Sequence, residues 1–200
     1  SEDIKSNLLK IHLHGTRADN IVKSMLLHSR GGSGKMEPTD LNAMIQEFSN
    51  LAFHGMRATK NPINVGITLD LDENIGQIPL FTDDFSRVIL NLCNNAFDAM
   101  REKIGLEENQ LNNYTPVLVI TTKSLAEGVE INFEDNGPGI PEEIQDKILQ
   151  PFFTTKKGTE GTGLGLSITH DIIKRHDGRL AIHSQLGKGT QFIIFLPKKT

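Results

Sequence analysis

The sequence has little cysteine and few of the larger aromatic residues: its 200 residues include one cysteine, one tyrosine and no tryptophan. Because Cys93 is the single cysteine, an internal disulfide is impossible and a reducing compartment is expected. We therefore predict a cytoplasmic location. The scarcity of tryptophan and tyrosine argues against a base-stacking surface, and the net charge of −4 argues against a nucleic-acid partner.

Long apolar runs are also missing. The longest strongly apolar run covers only residues 192–196, whereas a membrane-spanning helix needs about 20 such residues. We therefore expect no membrane span in this chain. The composition, 37% hydrophobic and 23% charged, is nevertheless sufficient for a folded core and excludes a disordered or collagen-like chain. The length fits one domain, or one domain with an appendage.

Residues 1–30 carry a helical stripe that is typical of a bundle. Apolar or small residues recur at alternating spacings of four and three, at Ile4, Leu8, Ile11, Gly15, Ala18, Val22, Met25 and Ser29. Gly-Gly-Ser-Gly at residues 31–34 then predicts a flexible joint. We predict an N-terminal helix and linker at 1–34 and a second domain at 35–200. The alternative is a helix that docks on its own domain.

The remainder of the chain predicts one α+β domain. Helical patterns begin at Thr39 or Asp40 and end near Ala58, and others cover residues 83–104 and 164–175. Alternating apolar residues predict strands at 63–71, 117–122 and 129–135, and a final hairpin of strands at 180–184 and 190–196.

The second of these helices has a polar stripe. Asn91, Asn95 and Asp98 stand at i, i+4 and i+7, so they lie on one face of the helix. Amide oxygens are good ligands for Mg²⁺, which takes only one or two protein ligands beside phosphates and water. The alternative is an ordinary solvated face.

A second candidate segment follows the predicted strand 129–135. Asp135 ends this strand and is followed by Asn-Gly-Pro-Gly-Ile. A carboxylate fixed at this point can accept a hydrogen bond from an exocyclic amine such as that of adenine, and Gly137 and Gly139 let a flat ring approach the backbone. The same residues are also typical of a simple turn.

A glycine-rich stretch at residues 161–166 opens the last predicted helix. Free N–H groups at a helix start favour phosphate binding. The pattern is neither a Rossmann fingerprint nor a Walker A loop, because the preceding strand and the Lys-Ser/Thr pair are missing. Upstream, Phe152 and Phe153 predict an anchor for a mobile lid whose lysines reach phosphate. A surface loop with one buried phenylalanine is the alternative.

Five motifs occur in order along residues 38–197: Asn-x-x-x-Asn-Ala, Asp-x-Gly-x-Gly-Ile, Phe-Phe, Gly-x-Gly-x-Gly and Gly-x-Gly-Thr. In this combination the chain resembles the catalytic and ATP-binding domain of sensor histidine kinases, in the superfamily that includes DNA gyrase and MutL-like ATPases. The resemblance implies a two-layer α/β sandwich, in which a mixed five-stranded sheet packs on three helices. It also implies that ATP binds with Mg²⁺ between the helices and a lid.

The resemblance assigns expected roles to individual residues. It implies that Asn91 and Lys156 act at the phosphates as catalytic residues and that Asn95 coordinates Mg²⁺. It further implies that Asp135 binds the adenine amine and that Thr190 helps through water. Further ATP contacts are implied at Asp98, Gly137, Gly139, Ile140, Phe152, Phe153, Thr154, Thr155, Gly161, Thr162, Gly163, Leu164, Gly165 and Leu166.

The phosphoacceptor histidine of such kinases is not identified in this chain. The family pattern is His-Glu/Asp-x-x-Asn/Thr-Pro, and none of the seven histidines fits it. We therefore expect residues 1–30 to be the second helix of a dimerising hairpin, with the acceptor helix supplied elsewhere. The implied partners are that acceptor helix, a response regulator and a second copy bound through the hairpin. The chain would then be the cytoplasmic part of a sensor, and a membrane-bound sensor is compatible with this expectation.

Two other functions remain open at this point. One is a different enzyme of the same superfamily, either an ATPase or a serine kinase. Such ATPases commonly have a glutamate where this chain has Asn91, and because an amide is a poor general base, fast hydrolysis is disfavoured. The other is a non-catalytic module that responds to ATP by docking on a partner.

Overall fold

The computed structural model describes residues 2–30, 34–107, 113–156 and 161–198. Its helices are α1 (Glu2–Arg30), α2 (Leu41–Arg57), α3 (Thr82–Glu107), α4 (Glu142–Gln145) and α5 (Gly165–Arg175). Its strands are β1 (Glu37–Asp40), β2 (Gly66–Leu71), β3 (Gln77–Leu80), β4 (Val117–Ser124), β5 (Gly128–Asp135), β6 (Arg179–Gln185) and β7 (Gly189–Pro197).

The main sheet has five strands in the order β2-β4-β5-β7-β6. β2 and β4 run parallel, with Leu69 opposite Ile120, and the other neighbours are antiparallel. The predicted mixed five-stranded sheet is therefore confirmed. Its central strands alternate buried and half-buried residues, as expected for strands that pack one face on a helix layer.

Helices α2, α3 and α5 form the second layer, with α3 between the other two. The apolar side of α3 is almost wholly buried, through Phe85, Val88, Ile89, Leu92, Cys93, Ala96, Phe97 and Met100. Burial also raises the pKa of the Cys93 thiol to about 12, so this thiol is un-ionised and unreactive at neutral pH. The α+β two-layer architecture agrees with the expectation from sequence.

Some segments differ from the predicted boundaries. β2 begins at Gly66 instead of residue 63, and α3 continues to Glu107. A separate antiparallel pair of β1 and β3, together with the short α4, had no counterpart in the sequence pattern. The pair is only four residues long and sets Pro38 opposite Pro79, so it lacks the apolar alternation that predicts strands.

The N-terminal helix α1 is present as predicted, and its described apolar side chains are exposed. Ile4, Leu8, Ile11 and Val22 keep between 52% and 68% of their surface accessible. These side chains are therefore not covered by the rest of the chain, which argues against a helix docked on its own domain. Met25 and Ser29, the end of the stripe, lie outside the described side chains, and the division at residue 34 stays a prediction. Within the described ranges, no helix is long and apolar enough to span a membrane.

A buried polar cluster joins the end of α5 to the start of α3. His176, 3% exposed, accepts a hydrogen bond at Nε2 from the backbone N–H of Phe81 (3.0 Å). Its Nδ1 therefore carries the proton and donates to the carbonyl of Ile172 (2.8 Å). Beside it, Arg175 pairs at 2.6 Å with Asp84, which is 5% exposed. The cluster therefore holds the C-terminal end of α5 on the N-terminal end of α3.

Replacing His176 is expected to loosen this junction. His176→Ala leaves the Phe81 N–H buried without an acceptor, which should lower the free energy of unfolding by about 1–3 kcal/mol. His170→Ala is the matched control, because His170 lies on the same helix with 29% of its side chain exposed; its effect should stay within about 0.5 kcal/mol. Urea unfolding monitored by circular dichroism measures both, and equal effects would contradict the assigned role of the cluster.

Candidate functional site

A pocket of about 420 Å³ lies beside α3, between the segment that follows β5 and the segment that leads into α5. Most of the residues predicted for the site line it: Asn91, Asn95, Asp98, Gly139, Ile140, Phe153, Thr154, Thr155, Lys156, Gly161, Thr162, Gly163, Gly165 and Leu166. The sequence analysis missed five further lining residues, namely Asn94, Glu102, Pro141, Ile144 and Ile148. Glu102 has a sequence signal, because it continues the polar stripe one turn beyond Asp98.

The polar stripe of α3 faces this pocket. Asn91, Asn95 and Asp98 are all half-buried, so they do not form an ordinary solvated face. The Asn91 Nδ2 atom donates to the carbonyl of Gly165 at 3.2 Å and to the Thr169 hydroxyl at 3.3 Å. Asn91 therefore ties α3 to the glycine-rich start of α5.

Asn95 is the residue whose surroundings best fit a missing ligand. Its Nδ2 atom is buried and has no hydrogen-bond partner. A buried N–H donor of this kind normally has an acceptor, so a bound group with acceptor oxygens, such as a phosphate, is expected to supply one, which leaves the amide oxygen for a metal ion. Mg²⁺ fits the donor set, because the pocket offers amide and carboxylate oxygens. The described residues hold no cluster of three or more His, Cys, Asp or Glu side chains that could bind a metal by themselves. Such an ion would take most ligands from phosphate and water.

Lys156 is held at the pocket by an ion pair with Asp98. The Lys156 ammonium contacts Asp98 Oδ2, and Arg101 contacts Asp98 Oδ1 at 2.6 Å. Both carboxylate oxygens of Asp98 are therefore engaged by cations. Asp98 thus orients the side chain of Lys156, which lines the pocket.

Asp135 lies at the end of β5 and is 6% exposed. Burial raises the pKa of its carboxyl to about 6, against opposing backbone hydrogen bonds from Gly137 and Thr190. The charge of Glu134 raises this pKa further, and that of Lys103 lowers it. Asp135 thus sits in a dry environment where one hydrogen bond to a ligand counts strongly.

Five predicted residues do not line the pocket among the described positions: Asp135, Gly137, Phe152, Leu164 and Thr190. Asp135 is connected to the pocket through the loop that contains Gly137, whose N–H donates to Asp135 Oδ1 at 2.8 Å. Thr190 and Leu164 are buried beside the site at 6% and 7% exposure. The Thr190 hydroxyl lies 2.9 Å from that of Ser184, which also accepts from the Ile140 N–H. Ser184 had no sequence signal.

Two glycines are required by the backbone itself. Gly139 has φ +76°, and a Cβ there would lie 2.3 Å from the carbonyl oxygen of Gln185. Gly163 has φ +70°, and a Cβ there would lie 2.4 Å from the carbonyl carbon of Phe152. Any side chain at either position would therefore displace the backbone that packs against this glycine, whether or not a ligand is bound.

The two phenylalanines of the predicted lid anchor differ in their surroundings. Phe153 lines the pocket and is half-buried, whereas Phe152 has φ 67° and is 46% exposed. Phe153 is thus the buried member of the pair. Residues 157–160, the centre of the predicted lid, lie outside the described residues.

Comparison with known proteins identifies what this architecture is similar to. A family model described as "Histidine kinase-, DNA gyrase B-, and HSP90-like ATPase" matches residues 81–200. The sensor kinase CckA of Brucella abortus (strain 2308) is 33% identical over 198 residues, covering 96% of this chain and 20% of that protein. The chain spans between a fifth and a third of the curated relatives it matches first.

Solved structures agree with that match. The catalytic domain of the histidine kinase ThkA superposes with a TM-score of 0.66 and 29% identity, covering 82% of this chain and 97% of that domain. ThkA in complex with the response regulator protein TrrA gives a TM-score of 0.70 and 26% identity, covering all of this chain and 52% of that one. The likeness thus extends beyond the segment matched by the family model.

The pKa of Asp135 leads to a pH prediction. We expect Asp135 to accept a hydrogen bond from the adenine amine, and a carboxylate is a stronger acceptor than a protonated carboxyl, so ADP affinity should fall as the pH drops through about 6. Asp135→Asn should remove this pH dependence, because its amide keeps an acceptor that does not titrate.

Titration calorimetry between about pH 5 and pH 8 measures ADP affinity on both sides of the pKa of Asp135. Asp70→Asn is the control, since Asp70 is an exposed residue of the edge strand β2 and its loss should leave the profile intact. A flat profile for the unmodified chain would contradict the assignment of Asp135.

Proposed function

Because the chain belongs to the family of histidine kinase-, DNA gyrase B- and HSP90-like ATPases, we propose that it is the ATP-binding catalytic part of a two-component sensor histidine kinase. The observation that carries this proposal is the pocket in which Asn95, with its unpaired buried amide, shares one cavity with Lys156 and the glycine-rich start of α5. That combination suits a charged, phosphate-bearing ligand.

The proposed reaction is transfer of the ATP γ-phosphoryl group to a histidine. Phosphoryl transfer depends mainly on positioning and on neutralising charge, so the protein has little covalent chemistry to perform. Mg²⁺, held by Asn95 when bound, would neutralise phosphate charge. Lys156 would leave Asp98 to contact the transferred group, and the start of α5 would present N–H groups to the phosphates.

Asn91 favours transfer over hydrolysis in this proposal. Its side chain is a carboxamide that already donates to Gly165 and Thr169, so it cannot act as a general base toward water. A site that binds ATP without activating water preserves the phosphoryl group for the acceptor. Because of these two hydrogen bonds, Asn91 would also keep the glycine-rich start of α5 in position.

The acceptor histidine is proposed to come from a separate helix. His176 is buried and hydrogen-bonded, so it is unavailable for phosphorylation. His12 and His14 are exposed on α1, but they lack the acid that follows an acceptor histidine in this family. We propose that α1 pairs with the acceptor helix through its exposed stripe, that the intact protein dimerises there, and that a response regulator in the cytoplasm receives the phosphoryl group.

A phosphotransfer assay tests this function. The chain is incubated with γ-labelled ATP and Mg²⁺, with and without a separate hairpin that carries the family acceptor motif. We expect acid-labile labelling of the hairpin and almost none of the chain itself, with a low rate because docking is bimolecular. Normal ATP binding without any transfer would instead indicate a non-catalytic module. Labelling of the chain that is lost on mutating His12 or His14 would place the acceptor in α1.

A second test separates the metal from the nucleotide. Asn95→Ala should weaken ADP binding by about tenfold in Mg²⁺, as expected for the loss of one charge-assisted contact, and should have little effect when Mg²⁺ is chelated. Asn50→Ala is the control, because Asn50 is an exposed helical asparagine on α2. An equal loss with and without Mg²⁺ would show that Asn95 contacts the nucleotide directly or only supports packing.

A further inference from the structure

Lys103, near the C-terminal end of α3, directs its ammonium at three main-chain carbonyl groups. Nζ donates to Asn136 O at 3.0 Å, to Gly137 O at 3.3 Å and to Gly187 O at 2.9 Å. It also lies 4.7 Å from the centroid of the Tyr114 ring. An ammonium has three donors, so all of them are used by these carbonyls.

The three carbonyls belong to two loops that meet at the site. Asn136 and Gly137 directly follow Asp135, and Gly187 lies in the turn between β6 and β7. The Gly187 N–H donates to Pro138 O at 2.7 Å, so the loops are also joined to each other. Lys103 connects both of them to α3, the helix that carries Asn91, Asn95 and Asp98 one to three turns earlier.

The loop after β5 is braced from its other side as well. The Asn136 carboxamide oxygen accepts from the Val117 N–H at 2.9 Å and from the Tyr114 hydroxyl at 3.0 Å. Tyr114 therefore contacts both Asn136 and Lys103. The side chains of Lys103, Tyr114 and Asn136 all contact this short loop. The conformation of the loop is therefore determined by these side-chain contacts as well as by the turn-forming residues of its own sequence.

The charge of Lys103 remains available to act on Asp135. Among the described residues, no carboxylate forms an ion pair with this ammonium, which is surrounded by neutral carbonyls. Its charge lowers the pKa of the Asp135 carboxyl, while burial and the charge of Glu134 raise it. Lys103 and Glu134 are thus the two charged groups whose charges shift the pKa of Asp135, in opposite directions.

We propose that Lys103 is a positioning residue for recognition of the nucleotide base: it holds the loop from Asn136 to Gly139 on α3, and so presents Asp135 to the exocyclic amine. This inference rests on the proposed function, since it assigns a role within the same nucleotide site. Lys103 itself is expected to contact no atom of the nucleotide, because its three donors are engaged by the loops.

The test compares Lys103→Met, Lys103→Arg and a control, Lys123→Met, which removes an exposed lysine from β4. ADP and GDP affinities are measured by calorimetry across the pH range used for Asp135. Lys103→Met should bind ADP about tenfold more weakly near neutral pH, as expected for losing hydrogen bonds from a charged donor. Its preference for ADP over GDP should fall, because the acceptor for the adenine amine is displaced.

The pH profile distinguishes positioning from general destabilisation. Removing the positive charge raises the pKa of Asp135 further, so the midpoint for loss of ADP binding should move to higher pH in Lys103→Met. Lys103→Arg keeps the charge, so its midpoint should stay near that of the unmodified chain. Lys103→Arg also provides the test if Lys103→Met fails to fold, because it keeps the charge of the unmodified chain and changes only the geometry of the contacts with the two loops. Its preference for ADP should fall with an unchanged midpoint.

Three outcomes would overturn the inference. The first is unchanged ADP affinity and midpoint in Lys103→Met. The second is an equal loss for ADP and GDP at every pH, which is the behaviour of a residue that only stabilises the fold. The third is failure of the unmodified chain to bind ADP at all, which would overturn the proposed function together with this inference. If the unmodified chain binds ADP normally and either of the first two results is found, only the role of Lys103 is rejected and the proposed function stands.

Discussion

Helix α3 packs between α2 and α5 and against the sheet, and its burial positions both the core and the pocket. Eight apolar side chains of this helix are at most 4% exposed, and burial of each large one contributes about 1.5–3 kcal/mol. Because these residues determine the rotation of α3 about its axis, they also determine that Asn91, Asn95 and Asp98 face the pocket. The hydrophobic core and the candidate site are therefore two sides of one helix.

Polar contacts then attach the other walls of the pocket to this helix. Asn91 holds the start of α5, Asp98 holds Lys156, and Lys103 holds the loop after β5. Each contact joins α3 to a different segment of the chain that borders the pocket. A ligand that draws Lys156 away from Asp98 would thus release only the segment that contains Lys156. The start of α5 and the loop after β5 would stay attached to α3 through Asn91 and Lys103.

Much of this arrangement was predictable from sequence because it follows local periodicity. The alternation in β4, β5 and β7 and the spacing of asparagines on α3 specify which faces are buried and which are polar. The roles of Lys103 and Ser184 were not predictable, since the loop groups that they bind, Asn136 O for Lys103 and the Ile140 N–H for Ser184, lie 33 and 44 residues away and no periodic pattern marks them. The sequence also did not indicate that Asp135 lies outside the described pocket lining. Its position at the end of a strand does not show how deep the side chain lies relative to a pocket.

We propose that one nucleotide spans the site from Asp135 to Asn95 and Lys156, and a crystal structure of the chain with ADP and Mg²⁺ would show whether it does. We expect the adenine amino group within hydrogen-bonding distance of the Asp135 carboxylate, the phosphates beside the start of α5, and the ion bound by Asn95. A nucleotide bound elsewhere, or one whose base points away from Asp135, would show that this assignment of the site is wrong.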